Sequence, residues 1–242
     1  MKKLRYLLLQ IRESADPMRS QEITCFSRAL ECEREDIESF DLLAGVPSEQ
    51  QLREVDAVLI GGSGDYSAAS DSPWLEQTLE GLRRIIALRK PTFASCWGFQ
   101  AFSRAAGGRC IHDPLRAELG SIALRLTEAG RSDPLFGALP NPFQGQAGHE
   151  DHVVQLPQGA VLLASSELVT NQAFKFADAP IYCTQFHPEL DRRAILERVQ
   201  AYPRYVERIA GKSLEEFSAG CRDTPEARQL LPRFAALVAT WR

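Results

Sequence analysis

No apolar run in this chain of 242 residues reaches the roughly 18 to 20 residues that cross a bilayer. The longest near the N-terminus, YLLLQI, is only strand length and lacks a small-residue cleavage site. Neither a membrane span nor a secretory signal is expected, and the expected compartment is the cytoplasm. The formal net charge of -4 is mildly acidic, which argues against nucleic acid as a partner, because neutralising phosphates takes grouped cations. The six cysteines include no C-x-x-C pair, and the chain is far longer than a disulfide-stapled scaffold. Reduced, buried thiols are the plain expectation. No G-K-[ST] follows the GGSGD turn, so that turn is not a phosphate loop. Repeats, low-complexity tracts and linkers are also lacking, and one domain over residues 1–242 is expected.

What remains is ordinary globular composition, 44% hydrophobic and 25% charged. RYLLLQIR reads as a buried strand and SQEITCFSRALECE as a helix with apolar residues three and four apart. IESFDLL follows as a strand, then VDAVLIGGSGDYS, an apolar strand running into a glycine turn. SPWLEQTLEGLRRIIALRK sets Ser and Pro ahead of a long amphipathic helix. PTFASC is the next strand, and WGFQAFSRAAGG a helix closed by glycines. Such alternation predicts an α/β fold: a doubly wound, mostly parallel sheet flanked by helices, with sites beyond the carboxyl ends of its strands. Gly61, Gly62 and Cys96 all fall at such ends. The short segments GSIALRLTEAG, AVLLASSEL, NQAFKFADA and PIYCTQFHPE predict a small mixed β extension that returns QFHPE toward the sheet. Two helices follow, DRRAILERVQAYPRYVERIAG, bent or ended at Pro203, and TPEARQLLPRFAALVATW.

Cys96 sits where strand becomes helix. Backbone N–H groups at Trp97 and Gly98 would face the sulfur there and favour its thiolate. Ala94 and Gly98, small and two residues either side, meet the steric demand of a nucleophile elbow. A buried thiol in a strand-to-helix turn is the other reading of the same residues. A nucleophile needs a base and a group to orient it. His187 and Glu189 would leave one face of a strand end, and Pro188 stiffens their spacing; a surface turn is the alternative. The GGSGD turn offers unhindered amides from Gly61 and Gly62 to a developing oxyanion, and Trp97 N–H offers another.

Together, IGG, SCWGFQ and TQFHPE, in this order, resemble the class I (triad type) glutamine amidotransferases. That family includes the glutaminase parts of GMP synthetase, anthranilate synthase and carbamoyl-phosphate synthetase, stand-alone members, and the γ-glutamyl peptidases. The resemblance spans about residues 55 to 190, with Ala94 where the family pattern has glycine. It implies a flavodoxin-like fold of the amidotransferase type, and a hydrolase with a Cys-His-Glu triad that works through a thioester intermediate. Cys96 would be the nucleophile, His187 the acid–base, Glu189 its orienting partner, and Gly62 and Trp97 the oxyanion hole. Gln100 would contact the amino-acid end of glutamine, with Gly61 nearby. GHEDHVVQLP resembles a substrate-binding segment through His149 and Asp151, and TNQAFKF another through Gln172, Ala173 and Phe174. His149 and His152 would share a helix face but not a strand face. The Pro, Gly and Val around them disfavour helix, so no metal is expected, and no cofactor.

The implied activity is conversion of glutamine to glutamate and ammonia. Its partners would be a small-molecule substrate and, where the ammonia is passed on, a synthase subunit. The alternative is a stand-alone γ-glutamyl peptidase or hydrolase acting on γ-glutamyl conjugates. From a different class comes a non-catalytic regulatory or binding protein on the same fold. It predicts loss of at least one triad residue, and all three are present.

Overall fold

The computed structural model describes residues 3–241. The strands are β1 (Tyr6–Gln10), β2 (Ile37–Asp41), β3 (Ala57–Ile60), β4 (Thr92–Ser95), β5 (Arg109–His112), β6 (Glu118–Leu126), β7 (Phe143–His149), β8 (Asp151–Gln155), β9 (Ala160–Ser165), β10 (Ala173–Phe176) and β11 (Ile181–Thr184). The helices are α1 (Met18–Leu30), α2 (Glu49–Glu54), α3 (Pro73–Ala87), α4 (Trp97–Ala105), α5 (Glu128–Ser132), α6 (Arg192–Ala201), α7 (Pro203–Tyr205), α8 (Leu214–Gly220), α9 (Pro225–Arg228) and α10 (Leu230–Thr240). None is long and apolar enough to cross a membrane.

A nine-stranded sheet runs in the order β2-β1-β3-β4-β11-β10-β9-β6-β7. From β2 to β11 neighbours are parallel, and from β11 to β7 they are antiparallel. β1, β3, β4 and β11 are buried at every position, because helices cover both faces of the parallel half. Side chains alternate between the two layers. Tyr6, Leu8, Ala57 and Leu59 pack with Phe26 of α1 and Phe234 of α10. Leu7, Leu9, Val58 and Ile60 pack with Leu52, Leu79, Phe99 and Phe102 from α2, α3 and α4. This is the doubly wound α/β architecture that the alternation predicts. The mixed extension is larger than expected and joins the same sheet through the β11–β10 pair, while β5 and β8 form a separate ribbon. The first of the two terminal helices ends at Tyr202, before Pro203, as the proline predicts. The second, expected to be continuous, is divided into α9 and α10 at Gln229.

β4 and β11 are adjacent, paired from Thr92–Ile181 to Ser95–Thr184, and adjacent strands lie about 4.8 Å apart. Their carboxyl ends therefore deliver Cys96 and the QFHPE segment to one place. Gly98 lets α4 start that close to the sheet. A Cβ there would lie 2.9 Å from Ile60 Cβ and 3.1 Å from Ala94 Cβ. Gly98→Ala is expected to lower the unfolding free energy by about 1–3 kcal/mol through overpacking. Urea denaturation checks this, and an unchanged midpoint would contradict it.

Candidate active site

Cys96 takes φ 52° and ψ -103°, a conformation that few side chains adopt. Such strain costs about 1–3 kcal/mol and persists only where the surroundings enforce it. Three backbone bonds do so. Cys96 N–H donates to Thr184 O at 2.7 Å, Gln100 N–H to Cys96 O at 3.1 Å, and Gly98 N–H to Gly61 O at 3.2 Å. The last corrects one expectation: the Gly98 amide is spent on Gly61 and does not face the sulfur. The thiol donates to Gly148 O at 3.7 Å and accepts from Gln185 Nε2 at 3.8 Å. The other five cysteines are also unpaired, and burial pushes their thiols up, Cys25 to about 12 and Cys32 to about 11. That holds them in the unreactive protonated form.

His187 is set by a bridge rather than by a strand. Its N–H donates to Gln146 O of β7 at 2.7 Å, and Leu190 N–H closes the following turn on His187 O at 3.3 Å. Inside that turn Nδ1 lies 2.6 Å from Glu189 Oε1, with both side chains out of water. Burial by itself lowers the imidazole's proton affinity. Glu189 and the neighbouring Cys96 sulfur outweigh it and raise the group to about 9. Burial likewise opposes the charge on Glu189, and the His187 ring and Arg198 reverse that, so this carboxyl is lowered.

Behind the pair runs a line of buried charge. Arg198 Nη1 is 4.0 Å from Glu189 and its Nη2 is 3.8 Å from Glu22 Oε1. Glu22 Oε2 lies 3.5 Å from Arg12 Nε and accepts from Gln10 Nε2 at 2.9 Å. Arg12 Nη2 donates to Gly62 O at 3.2 Å. The Gly61 and Gly62 carbonyls are thus both held, and a trans peptide points the Gly62 N–H away from the Gly61 carbonyl. Gly62 stands over the pair: a Cβ there would be 3.0 Å from His187 Cε1 and 3.7 Å from Cys96 Cβ.

Two cavities meet at Cys96. One of about 220 Å³ is polar and lined by Ser63, Asp65, Ser67, Trp97, Gln100 and Glu150, together with His112, His149 and Asp151. The other, about 50 Å³, holds His187 and Gly62 with a mostly apolar wall. Of the expected residues, Cys96, His187, Glu189, Gly62 and Trp97 come together, and Gln100, His149 and Asp151 line the polar cavity. Gln100 Nε2 is spent on Asp151 O and Gln185 Oε1. His149 is held between Asp151 O and Glu118, and Asp151 accepts from Ser67 and pairs with His112. Gly61 and the TNQAFKF residues stand elsewhere. Gly61 lies beneath Gly62, against Glu22. Gln172 is fully buried with Nε2 on Glu118, and Ala173 and Phe174 are core, the Phe174 ring packed on Phe99. The sheet is covered on both faces here, so Ala173 packs into one layer and Phe174 into the other. Gln185, Gln146, Arg12, Glu22 and Arg198 were not anticipated. Charged residues inside apolar stripes, such as Arg12 after YLLLQI and Glu22 in α1, were the available signal.

The sequence model of the class-I glutamine amidotransferases matches residues 27–195, and the chain belongs to that family. γ-Glutamyl peptidase 3 of Arabidopsis thaliana is 27% identical over 188 residues, 76% of this chain and 72% of that protein. γ-Glutamyl peptidase 4 of the same plant is 30% identical over 176 residues, 70% of this chain and 69% of its own. Glutamine-hydrolyzing GMP synthase of Thermosipho africanus is 27% identical over 161 residues, 66% of this chain but 29% of that enzyme. In fold, a glutamine amidotransferase from Thermotoga maritima superposes with TM-score 0.78 at 19% identity over 100% of both chains.

The proton on His187 is bound more tightly in the folded chain than in the unfolded one. Its stabilisation is therefore complete below about pH 6.5 and is lost as pH rises toward about 9. Urea unfolding is expected to show a midpoint that falls across this range and a flatter profile in His187→Gln. Equal slopes in the two proteins would contradict the pairing.

Proposed function

We propose that the chain hydrolyses the amide of γ-glutamyl compounds, glutamine among them, through a γ-glutamyl thioester on Cys96. One observation carries this reading: a thiol on a strained corner and an imidazole carried just past the adjacent strand line one cavity, with a carboxylate 2.6 Å behind the ring. The Cys96 thiolate adds to the γ-carbonyl carbon. As the C–N bond breaks, His187 gives its proton to the nitrogen and the amine leaves. Neutral His187 then takes a proton from water, whose oxygen attacks the thioester; glutamate departs and the thiol is restored. Glu189 fixes the ring's tautomer and offsets its charge. The N–H groups of Gly62 and Trp97 serve the oxyanion. The chemistry calls for no metal or cofactor. The polar cavity receives the amino-acid end, its ammonium set toward the carboxylates of Asp65, Glu150 and Asp151.

A second reading adds a synthase partner that consumes the released ammonia. It is supported by likeness to a glutamine-hydrolyzing GMP synthase chain of Methanocaldococcus jannaschii, itself one subunit of that enzyme. The two are 29% identical over 138 residues, 57% of this chain and 66% of the other. The first reading needs no partner, and two γ-glutamyl peptidases are among the relatives matched over more than two thirds of their own length.

A glutamine-mimicking diazo-ketone is expected to label one cysteine, and peptide mapping to find it at Cys96. Cys96→Ala and His187→Ala are each expected to lower kcat by about 1000-fold or more, and Glu189→Gln by less, as an orienting group usually does. Labelling at Cys110 or Cys183, or turnover that survives Cys96→Ala, would overturn the assignment.

A further inference from the structure

The two cavities at Cys96 differ in kind, and His187 tells which half of the substrate each takes. His187 lines only the smaller, and Trp97 and Gln100 only the larger. The amide nitrogen must reach the imidazole that protonates it, so the leaving amine lies in the slot on the His187 side. Its apolar wall is Leu119 of β6, Ile195 and Val199 of α6, Tyr202 between α6 and α7, and Tyr205 of α7.

The charges at its edge are already matched. Arg12 Nη1 donates to Asp16 at 3.1 Å and to Tyr202 Oη at 3.0 Å, and the Tyr202 hydroxyl donates to Asp16 at 2.6 Å. Arg198 Nε donates to Gln21 Oε1 at 2.9 Å. The guanidinium nitrogens without a hydrogen bond face carboxylates: Arg12 Nε and Arg198 Nη2 face Glu22 oxygens at 3.5 and 3.8 Å, and Arg198 Nη1 faces Glu189 at 4.0 Å. Asp16, Glu22 and Glu189 balance both guanidiniums and a protonated His187. A carboxylate on the leaving amine, as in any α-amino acid or peptide, would enter this setting without a counter-charge.

Size narrows the class further. About 50 Å³ corresponds to roughly three to five water-sized positions, which suits a straight chain of a few carbons and leaves ammonia with most of the slot unfilled. We propose that this chain acts preferentially on γ-glutamyl amides of small, unbranched, uncharged alkylamines, with the slot beside His187 as the leaving-group site. The inference rests on the γ-glutamyl hydrolase reading. Its chemistry is that acylation step: the S–C bond forms, the C–N bond breaks, and the alkylamine leaves with the His187 proton.

The test is kcat/KM of the full chain on glutamine, γ-glutamylmethylamide, -ethylamide and -n-propylamide, and on γ-glutamylglycine. Each added methylene is expected to raise kcat/KM about fourfold, as burial of roughly 0.8 kcal/mol per CH2 implies. γ-Glutamylglycine is expected at least tenfold below the ethylamide. In Val199→Phe the propylamide-to-glutamine ratio, in which any loss of folded protein cancels, is expected to fall at least tenfold. A flat or falling series, or γ-glutamylglycine as the best substrate, would overturn the slot assignment while leaving the hydrolase reading standing. So would a ratio that Val199→Phe leaves unchanged. Turnover of none of these amides would overturn both.

Discussion

The contact on which the site depends is the 2.6 Å hydrogen bond between His187 and Glu189, made where both groups are shut off from water. A buried carboxylate is tolerated only if its charge is met. Glu189 is met on one side by the ring and on the other by Arg198. Arg198 then needs Glu22, and Glu22 needs Arg12. That succession ends on the Gly62 carbonyl. The acid behind the imidazole and the glycine above it are therefore placed by one connected set of charges, carried just past β1 and on α1 and α6. Removing any one member would strand its neighbour, which is why such a line tends to stay intact or fail as a unit.

The fold explains why the sulfur stands at the boundary of two unlike cavities. β4 and β11 end side by side, and what each strand hands on differs. β4 passes into α4, whose first turn carries Trp97 and Gln100 toward the polar side, where β7, β8 and the GGSGD turn contribute acids and histidines. β11 passes into the His187 turn and then α6, which lays Ile195 and Val199 along the other side. One side is lined by acids and histidines, and the other is smaller and mostly apolar. The thiol belongs to both because the strained corner at φ 52° projects it from the end of the sheet.

The parallel half of the fold was plain in the sequence, since most of its strands are short apolar runs and helices follow them; β2, IESFD, is the mixed one. Cys96, His187 and Glu189 were legible for a similar reason: corner, turn and spacing are local. What escaped was set by distant partners. TNQAFKF resembled a substrate segment, yet a strand between β9 and β11 in a sheet covered on both faces buries successive residues, Ala173 in one layer and Phe174 in the other. α2 and α8 begin with Ser48–Gln51 and Ser213–Glu216 capping boxes, a local signal that was there to be read. Arg12, Glu22 and Arg198 come together from three elements, and no spacing along the chain announces such a meeting.

The central claim is that the sulfur at position 96 carries the acyl group during turnover. Intact-mass measurement of protein quenched in acid while it consumes glutamine tests this most directly. The account predicts an added γ-glutamyl group that maps to Cys96 and is absent from Cys96→Ala. Turnover with no adduct at any time, or an adduct on another residue, would contradict it.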